Sequence, residues 1–381
     1  MKLTQVNDTR GDELVMAVGL ETAGGSWKLA LQDGRRGKPA LHTCKEQQAQ
    51  ARLEAAVQRI EQTKGKWGLP TGTRVVIVYE AGQEGFWIAR ALRALGYEVS
   101  VTDPASVAVS RQHRRAKTDR LDAIRLVNAL RSWLRGERDV MRMVHLPPEE
   151  AEAQRHGTRE RGQLQKEIHG HCDRIEKLLR TVGCWQKVAE GFGAERLEQL
   201  RCYDATPLPL PLRRRLEREC ARLALLRAQL SALEQSLFAE LPAPLQARVR
   251  QLQELKAVGW VGALRLVLDL FWRDFRNRRE VGSCVGLVPQ PYDTGNSHRD
   301  QGISKHGNAR VRALAIQLAW MWLRYQPQSE LSQWFKRRTQ GSGANKRQRR
   351  IAIVAVARRL MISLWRYLED AVVPAGALRK G

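Results

Sequence analysis

Aromatic residues are scarce, at 6% of the 381 positions. No apolar run reaches the length of a bilayer span, because Arg or Lys interrupts every helical stretch, so a membrane partner is not expected. The opening MKLTQVNDTRGDELV lacks the apolar core of a secretory signal. The six cysteines, Cys44, Cys172, Cys184, Cys202, Cys220 and Cys284, show no CxxC spacing, which argues against a disulfide framework and for reduced core residues in a cytosolic protein. His169, His171 and Cys172 lie together, but no second ligand group stands at useful spacing, so zinc is not expected there. Acids are also short. Asp and Glu number 40 against 65 Lys and Arg, leaving a net charge of +25.

A surplus of that size attracts a polyanion and makes binding salt-dependent. The basic residues cluster in RQHRRAKTDR, RRRLERE, FRNRRE and KRRTQGSGANKRQRR, and Arg outweighs Lys, which suits bidentate phosphate contacts. Nucleic acid is therefore the expected partner, and the bacterial cytoplasm and nucleoid the expected location. In the first of these runs Arg114, Arg115 and Lys117 are candidate contacts.

The chain is long enough for two or three domains. LVMAVGLE (14–21), SWKLAL (26–31) and ALHTC (40–44) read as strands, with a helix from Glu46 to about Lys64. RVVIVYE reads as a buried strand, GFWIARALRALG as a helix stopping at Gly96, and YEVSVTDP as a strand closed by Pro104 with Asp103 as a turn cap. The order β, β, β, α, β, α, β describes a mixed sheet flanked by helices, the order of ribonuclease-H-like domains. This α/β domain is assigned 1–146. Residues 147–241 read as long charged helices joined by a proline-rich bend, an antiparallel helical hairpin or coiled coil. Residues 242–381 read as an all-α domain with helices near 309–325, 329–339 and 349–369, in which Trp320, Trp322, Trp334 and Trp365 are expected in the core. AVGWVGAL contains a Gly-x-x-Gly that either presents amides to a phosphate or permits tight helix packing.

Four carboxylates stand out. Glu21 ends the first strand and Glu80 the fourth, while Asp119 and Asp122 share one face of a predicted helix. Clustered carboxylates repel one another unless a cation collects them, and oxygen donors suit Mg²⁺ or Mn²⁺. Plainer readings exist for each: a polar strand end for Glu80, a cap or a partner of Arg115 for Asp119, a partner of Arg125 or Arg120 for Asp122. A second stretch, VPQPYDTGNSHRDQGISKHGNARVRAL (288–314), is dominated by turn formers and reads as a loop before a basic helix. It gathers Thr294, Ser297, Asp293, His298, Arg299, Lys305, His306, Asn308, Arg310 and Arg312 within a short span.

GLETAGGSWKLAL, VYEAG, AKTDRLDA and GLVPQPYDTGNSHRDQGISKHGNARVR together closely resemble insertion-sequence transposases with a DEDD, RuvC-like N-terminal domain and a serine-bearing C-terminal domain, a family that includes bridge-RNA-guided recombinases. The resemblance covers nearly the whole chain. It implies that Glu21, Glu80, Asp119 and Asp122 form the metal-binding quartet, with Glu21 where Asp is typical. It implies that Thr294 stands where the family carries its nucleophilic Ser; the added methyl stiffens χ1. It further implies a structured guide (bridge) RNA, donor and target DNA, and a homo-oligomeric dimer or tetramer whose coiled coil brings metal site and hydroxyl together from different protomers. Arg299, Lys305, Arg310 and Arg312 become candidates for phosphates near the break, with Lys305 and Arg310 favoured by the helix start beside them. Two rival readings remain at this point: a junction-resolvase-like nuclease that uses water, and a catalytically decayed relative that binds RNA and DNA.

Overall fold

The computed structural model describes residues 14–22, 25–107, 118–294, 297–340 and 345–380, the side chains of 291–301 excepted. The chain divides into two compact units, 1–146 and 147–381.

The first unit contains β1 (Val15–Glu21), β2 (Trp27–Gln32), β3 (Ala40–Cys44), α1 (Ala49–Lys66), β4 (Arg74–Glu80), α2 (Trp87–Ala94), β5 (Glu98–Thr102) and α3 (Asp119–Leu134). The strands form one sheet in the order β3-β2-β1-β4-β5. β1 pairs antiparallel with β2 and parallel with β4, and β4 pairs parallel with β5. This is the mixed sheet expected from the strand order. The two central strands are buried at every interior position, which is why their sequences run apolar rather than alternate. Met16, Val18, Leu20, Ile77 and Tyr79 face α1 and α2 through Ile60, Ile88 and Leu92. On the other face, Ala17, Ala30, Val76 and Val78 meet Ala123, Leu126, Val127 and Leu130 of α3. Gly19 lies at the closest approach: a Cβ there would stand 2.5 Å from the Ala123 carbonyl and 2.6 Å from the Val127 nitrogen. Thr118 caps α3 by accepting from the Leu121 N–H at 3.3 Å. Asp103 accepts from the Ala105 N–H, the turn cap that its position beside Pro104 suggests.

The second unit begins with α4 (Glu149–Ala153), α5 (Arg155–Arg180) and α6 (Leu210–Ala239). α5 and α6 run antiparallel: Gly157 lies against Leu237, Arg161 pairs with Glu234 at 2.6 Å, and His171 meets Glu219 at 2.6 Å. Ile175, Leu179, Leu216 and Leu223 fill the space between them. Glu219 is buried, which pushes its carboxyl up, but hydrogen bonds from His171 and Arg174 outweigh burial and hold it below the usual carboxylate range. The His171 environment is thus an ion-pair cluster. Among the described residues no group of three or more His, Cys, Asp or Glu is placed to hold a metal.

The remainder comprises α7 (Ala243–Gln253), α8 (Trp260–Asp269), α9 (Arg278–Val285), β6 (Pro289–Thr294), β7 (Ser297–Ile303), α10 (Ala309–Tyr325), α11 (Glu330–Thr339) and α12 (Lys346–Asp370). α12 runs through the core with Ile353, Val356, Leu360, Met361 and Leu364 buried. Gly262 lets α8 approach Leu318 of α10, since a Cβ there would stand 3.2 Å from the Leu318 methyl, so this glycine serves helix packing. Two expectations need correction. The region is not all-α, because β6 and β7 form an antiparallel hairpin where a loop was expected. Trp320 is 43% exposed, with its ring edge-on to Phe335 at 6.0 Å, whereas Trp322 is fully buried and donates to Ser329 at 2.9 Å. The periodicity places both near the core, but Trp322 takes the interior position on α10 and Trp320 falls on its flank. No helix among the described residues is long and apolar enough to cross a membrane.

Candidate functional site

In the first unit the sheet brings two of the carboxylates together. The β1–β4 register pairs Leu20 with Tyr79, so Glu21 and Glu80 sit side by side at the C-terminal ends of parallel neighbours. Strand alternation puts both on the α3 face, in line with Ala17 and Gly19 on one strand and Val76 and Val78 on the other. α3 presses against that face at Gly19 and delivers Asp122, which is 7% exposed. Arg125, one turn further along α3, reaches both sides of the gap. Its Nη2 lies 3.0 Å from Asp122 Oδ1 and 3.4 Å from Glu80 Oε1. Its Nε is buried without a hydrogen-bond partner. A guanidinium therefore neutralises the acid cluster from within. Asp119 is exposed in the first turn of α3, where the helix dipole favours a negative charge.

The donor set is all carboxylate, which suits a hard divalent ion in kind. The described arrangement is drawn in around a guanidinium, and no three of these acids stand close enough together to form a metal cage. A cation held here would take over Arg125's role. Arg125 had appeared in the sequence only as an alternative partner for Asp122; its contact with Glu80, 45 positions away, carries no local signal. Arg114, Arg115 and Lys117 lie outside the described residues, and with them the pairing of Asp119 with Arg115.

In the second unit Thr294 is the last residue of β6 and pairs with Ser297, the first of β7. Asp293 pairs with His298 and Tyr292 with Arg299 along the same ladder. The side chains of Asp293, Thr294, Ser297, His298 and Arg299 lie outside the described residues. The overlooked signal is Gly295-Asn296, a two-residue Gly-Asn link between two short runs, which is a hairpin signature.

The base of the hairpin is pinned by a backbone crossing. Gly286 and Gly307 both have positive φ, 67° and 89°, and a side chain on either would run into the backbone of the crossing segment at His306 or Cys284. The Ser304 N–H donates to Val288 at 2.9 Å and the Lys305 N–H to Gly286 at 3.2 Å. Asn308 caps α10 by accepting from the N–H groups of Arg310 and Val311, so its side chain is occupied with the helix start. Arg312 donates to the carbonyls of Val285 and Lys305 and so ties the crossing together. Arg310 donates to the Thr158 carbonyl of α5 at 2.8 Å. Lys305 is exposed, with φ of 57°.

Residues 18–183 match the DEDD-type transposase model of IS110 elements. Residues 249–333 match the model described as "Transposase IS116/IS110/IS902 family". The first span holds the acid-bearing strands and α3, the second the hairpin and its pinned base. The chain is 38% identical over 382 residues to "Putative transposase y4rJ" of Sinorhizobium fredii, covering 95% of this chain and 94% of the relative. It is 25% identical over 303 residues to "Transposase for insertion sequence element IS1328" of Yersinia enterocolitica, covering 78% and 86% of the two. Sheet, hairpin and relatives together define a transposase, an enzyme that cuts DNA. More narrowly, the chain belongs to the IS110/IS116/IS902 family of insertion-sequence transposases.

Proposed function

We propose that this transposase is an RNA-guided recombinase that breaks and rejoins DNA through Thr294. The observation that carries the reading is the placement of Glu21 beside Glu80 at the ends of β1 and β4, on the face that α3 covers, with Arg125 bridging Glu80 and Asp122. Glu21, Glu80, Asp119 and Asp122 would hold Mg²⁺ or Mn²⁺. Such an ion, when bound, supplies Lewis-acid polarisation of a phosphodiester oxygen. The Thr294 oxygen forms a bond to phosphorus as the bond from phosphorus to the leaving sugar oxygen breaks. The threonine proton passes to a base, and the leaving oxygen takes up a proton. Attack by a hydroxyl of the exchanged strand on the phosphothreonine reverses the step. One phosphodiester is exchanged for another, so no nucleotide cofactor is required.

Arg114, Arg115, Lys117, Arg299, Lys305 and Arg310 hold phosphates near the break in this reading, and Arg312 steadies the base of the hairpin that carries Thr294. A structured guide (bridge) RNA pairs with donor and target DNA, which leaves the protein to hold backbones. The α5/α6 hairpin acts as a coiled-coil contact in a dimer or tetramer, through which carboxylates and hydroxyl meet from different protomers.

The test combines the full-length protein with its element's structured RNA, target DNA and Mg²⁺. A protein–DNA adduct that maps to Thr294 is expected, lost in Thr294→Ala and in Asp122→Asn. Cleavage that persists in Thr294→Ala without any adduct would replace this reading with a water-using nuclease.

A further inference from the structure

A second basic site lies at the other end of the first unit's sheet. β2 ends at Gln32, which pairs with Ala17 near the start of β1, away from Glu21. The turn after β2 meets the last two turns of α3 and leaves a cavity of about 300 Å³ lined by Gln32, Gly34, Arg36, Asn128, Arg131, Ser132 and Arg135. From Asp122 to Arg131 along α3 is about 14 Å at 1.5 Å per residue, so this cavity stands apart from the carboxylates.

The cavity is built rather than incidental. Gln32 and Asp33 are buried, each 6% exposed. The Gln32 amide accepts from the Asp33 N–H at 3.0 Å and donates to the Arg36 carbonyl at 2.8 Å. Asp33 accepts from the Arg35 N–H at 3.0 Å and the Arg36 N–H at 3.3 Å, forming an Asx-type turn. Arg36 is fixed by the Asp33 carboxylate on one side and lies over the Trp67 ring at 4.4 Å. Gly34 has φ of 84°, and the Arg131 guanidinium occupies the space that a side chain there would need. Arg135 donates to the Ser132 hydroxyl at 3.1 Å, which leaves that hydroxyl's proton available to donate onward. The local charge is lopsided. Arg135 pairs with Glu137 at 3.4 Å, and the turn and the end of α3 together carry Arg35, Arg36, Lys38, Arg131, Arg135 and Arg138 against Asp33, Glu137 and Asp139. The last turn of α3 would by itself disfavour an anion, but its carbonyls are already taken by the N–H groups of Arg135, Gly136 and Glu137.

We propose that this cavity binds a backbone phosphodiester of nucleic acid, with Arg36, Arg131 and Arg135 as its charged ligands and Asn128 and Ser132 as neutral donors. Planar guanidiniums lining a cavity with mostly polar walls match a phosphate's oxygens. The site anchors RNA or DNA at a distance from the cut. The inference rests on the family's action on nucleic acid and is independent of the chemistry at Thr294.

The test measures fluorescence anisotropy of full-length protein with two labelled probes, the element's structured RNA and a DNA duplex of its target, across a salt series. Arg131→Gln/Arg135→Gln is expected to bind at least one probe roughly tenfold more weakly and to lower the slope of log K against log salt by about two. Arg135→Gln alone, on an exposed side chain, is expected to lower the slope by about one with an unchanged melting temperature. A loss confined to RNA or to DNA identifies which strand the cavity holds. Should the double variant fail to fold, the single variant decides. Wild-type binding with unchanged affinity and slope in the variants for both probes overturns the cavity proposal alone. A wild type that holds neither probe overturns it together with the recombinase reading.

Discussion

Arg125 bridges two of the acids. Its guanidinium touches Asp122 and Glu80, and the side chains of the three are 32%, 10% and 25% exposed. Removing it leaves like charges facing one another in a half-dry setting. Arg125→Gln is expected to cost about 1–3 kcal/mol, below the range for fully buried pairs because the guanidinium is partly solvated. Mg²⁺ should then raise the melting temperature of the variant more than that of the wild type, since the ion replaces the missing charge. A smaller rise in the variant would mean that Arg125 assists the ion rather than substitutes for it. His42 gives a pH-dependent counterpart in the same unit. Burial, with Arg59 and Lys66 nearby, lowers its pKa below the ordinary 6.5, while its ring contacts Thr63 at 3.0 Å. Its folded value lies under its unfolded one, so the unfolded chain binds the proton first as pH falls. The stability held by neutral His42 is therefore complete above about pH 6.5 and declines below it. His42→Gln should flatten that part of a melting-temperature profile, and an equal slope in wild type and variant would remove His42 from the account. At this scale the sequence showed the four acids and the Asp122–Arg125 spacing. It did not show the Glu80–Arg125 bridge, because that contact exists only once the helix lies on the sheet.

Among the elements, the contact of β1 with α3 decides whether the acids meet at all. The small residues Ala17, Gly19 and Ala30 make a shallow face on which α3 can lie close, and the 2.5 Å and 2.6 Å approaches at Gly19 leave no room for a methyl. Gly19→Ala is expected to destabilise the unit by about 1–3 kcal/mol through overpacking. It should also weaken Mg²⁺ binding, read by titration calorimetry, by pushing Asp122 away from Glu21 and Glu80. A variant with wild-type stability would show that α3 shifts at no cost. Strands and helices of this unit were legible because their apolar periods are long and unbroken. The β6/β7 hairpin was not. Pro289, Pro291, Gly295 and Asn296 read as loop chemistry, and the strand pairing closes on the crossing of Gly286 and Gly307 at the base of the hairpin, which the local sequence does not show.

Across the whole molecule, a net charge of +25 on two separately cored units suits a protein that acts on DNA. The surplus charge and the basic runs near the acids and the hairpin were plain in the sequence. The arginine cavity was not, because Arg36 and Arg131 are 95 positions apart and join only through the fold. The two acid-bearing strands and the hairpin each lie in a span that matches the transposase family, and the proposed chemistry turns on one hydroxyl. The most direct measurement is mass-spectrometric mapping of the protein–DNA adduct formed with Mg²⁺, the element's RNA and its target. The account predicts a phosphodiester on Thr294 that disappears in Thr294→Ala and returns in Thr294→Ser. DNA cut to completion with no residue covalently attached, or an adduct on a different side chain, would contradict it.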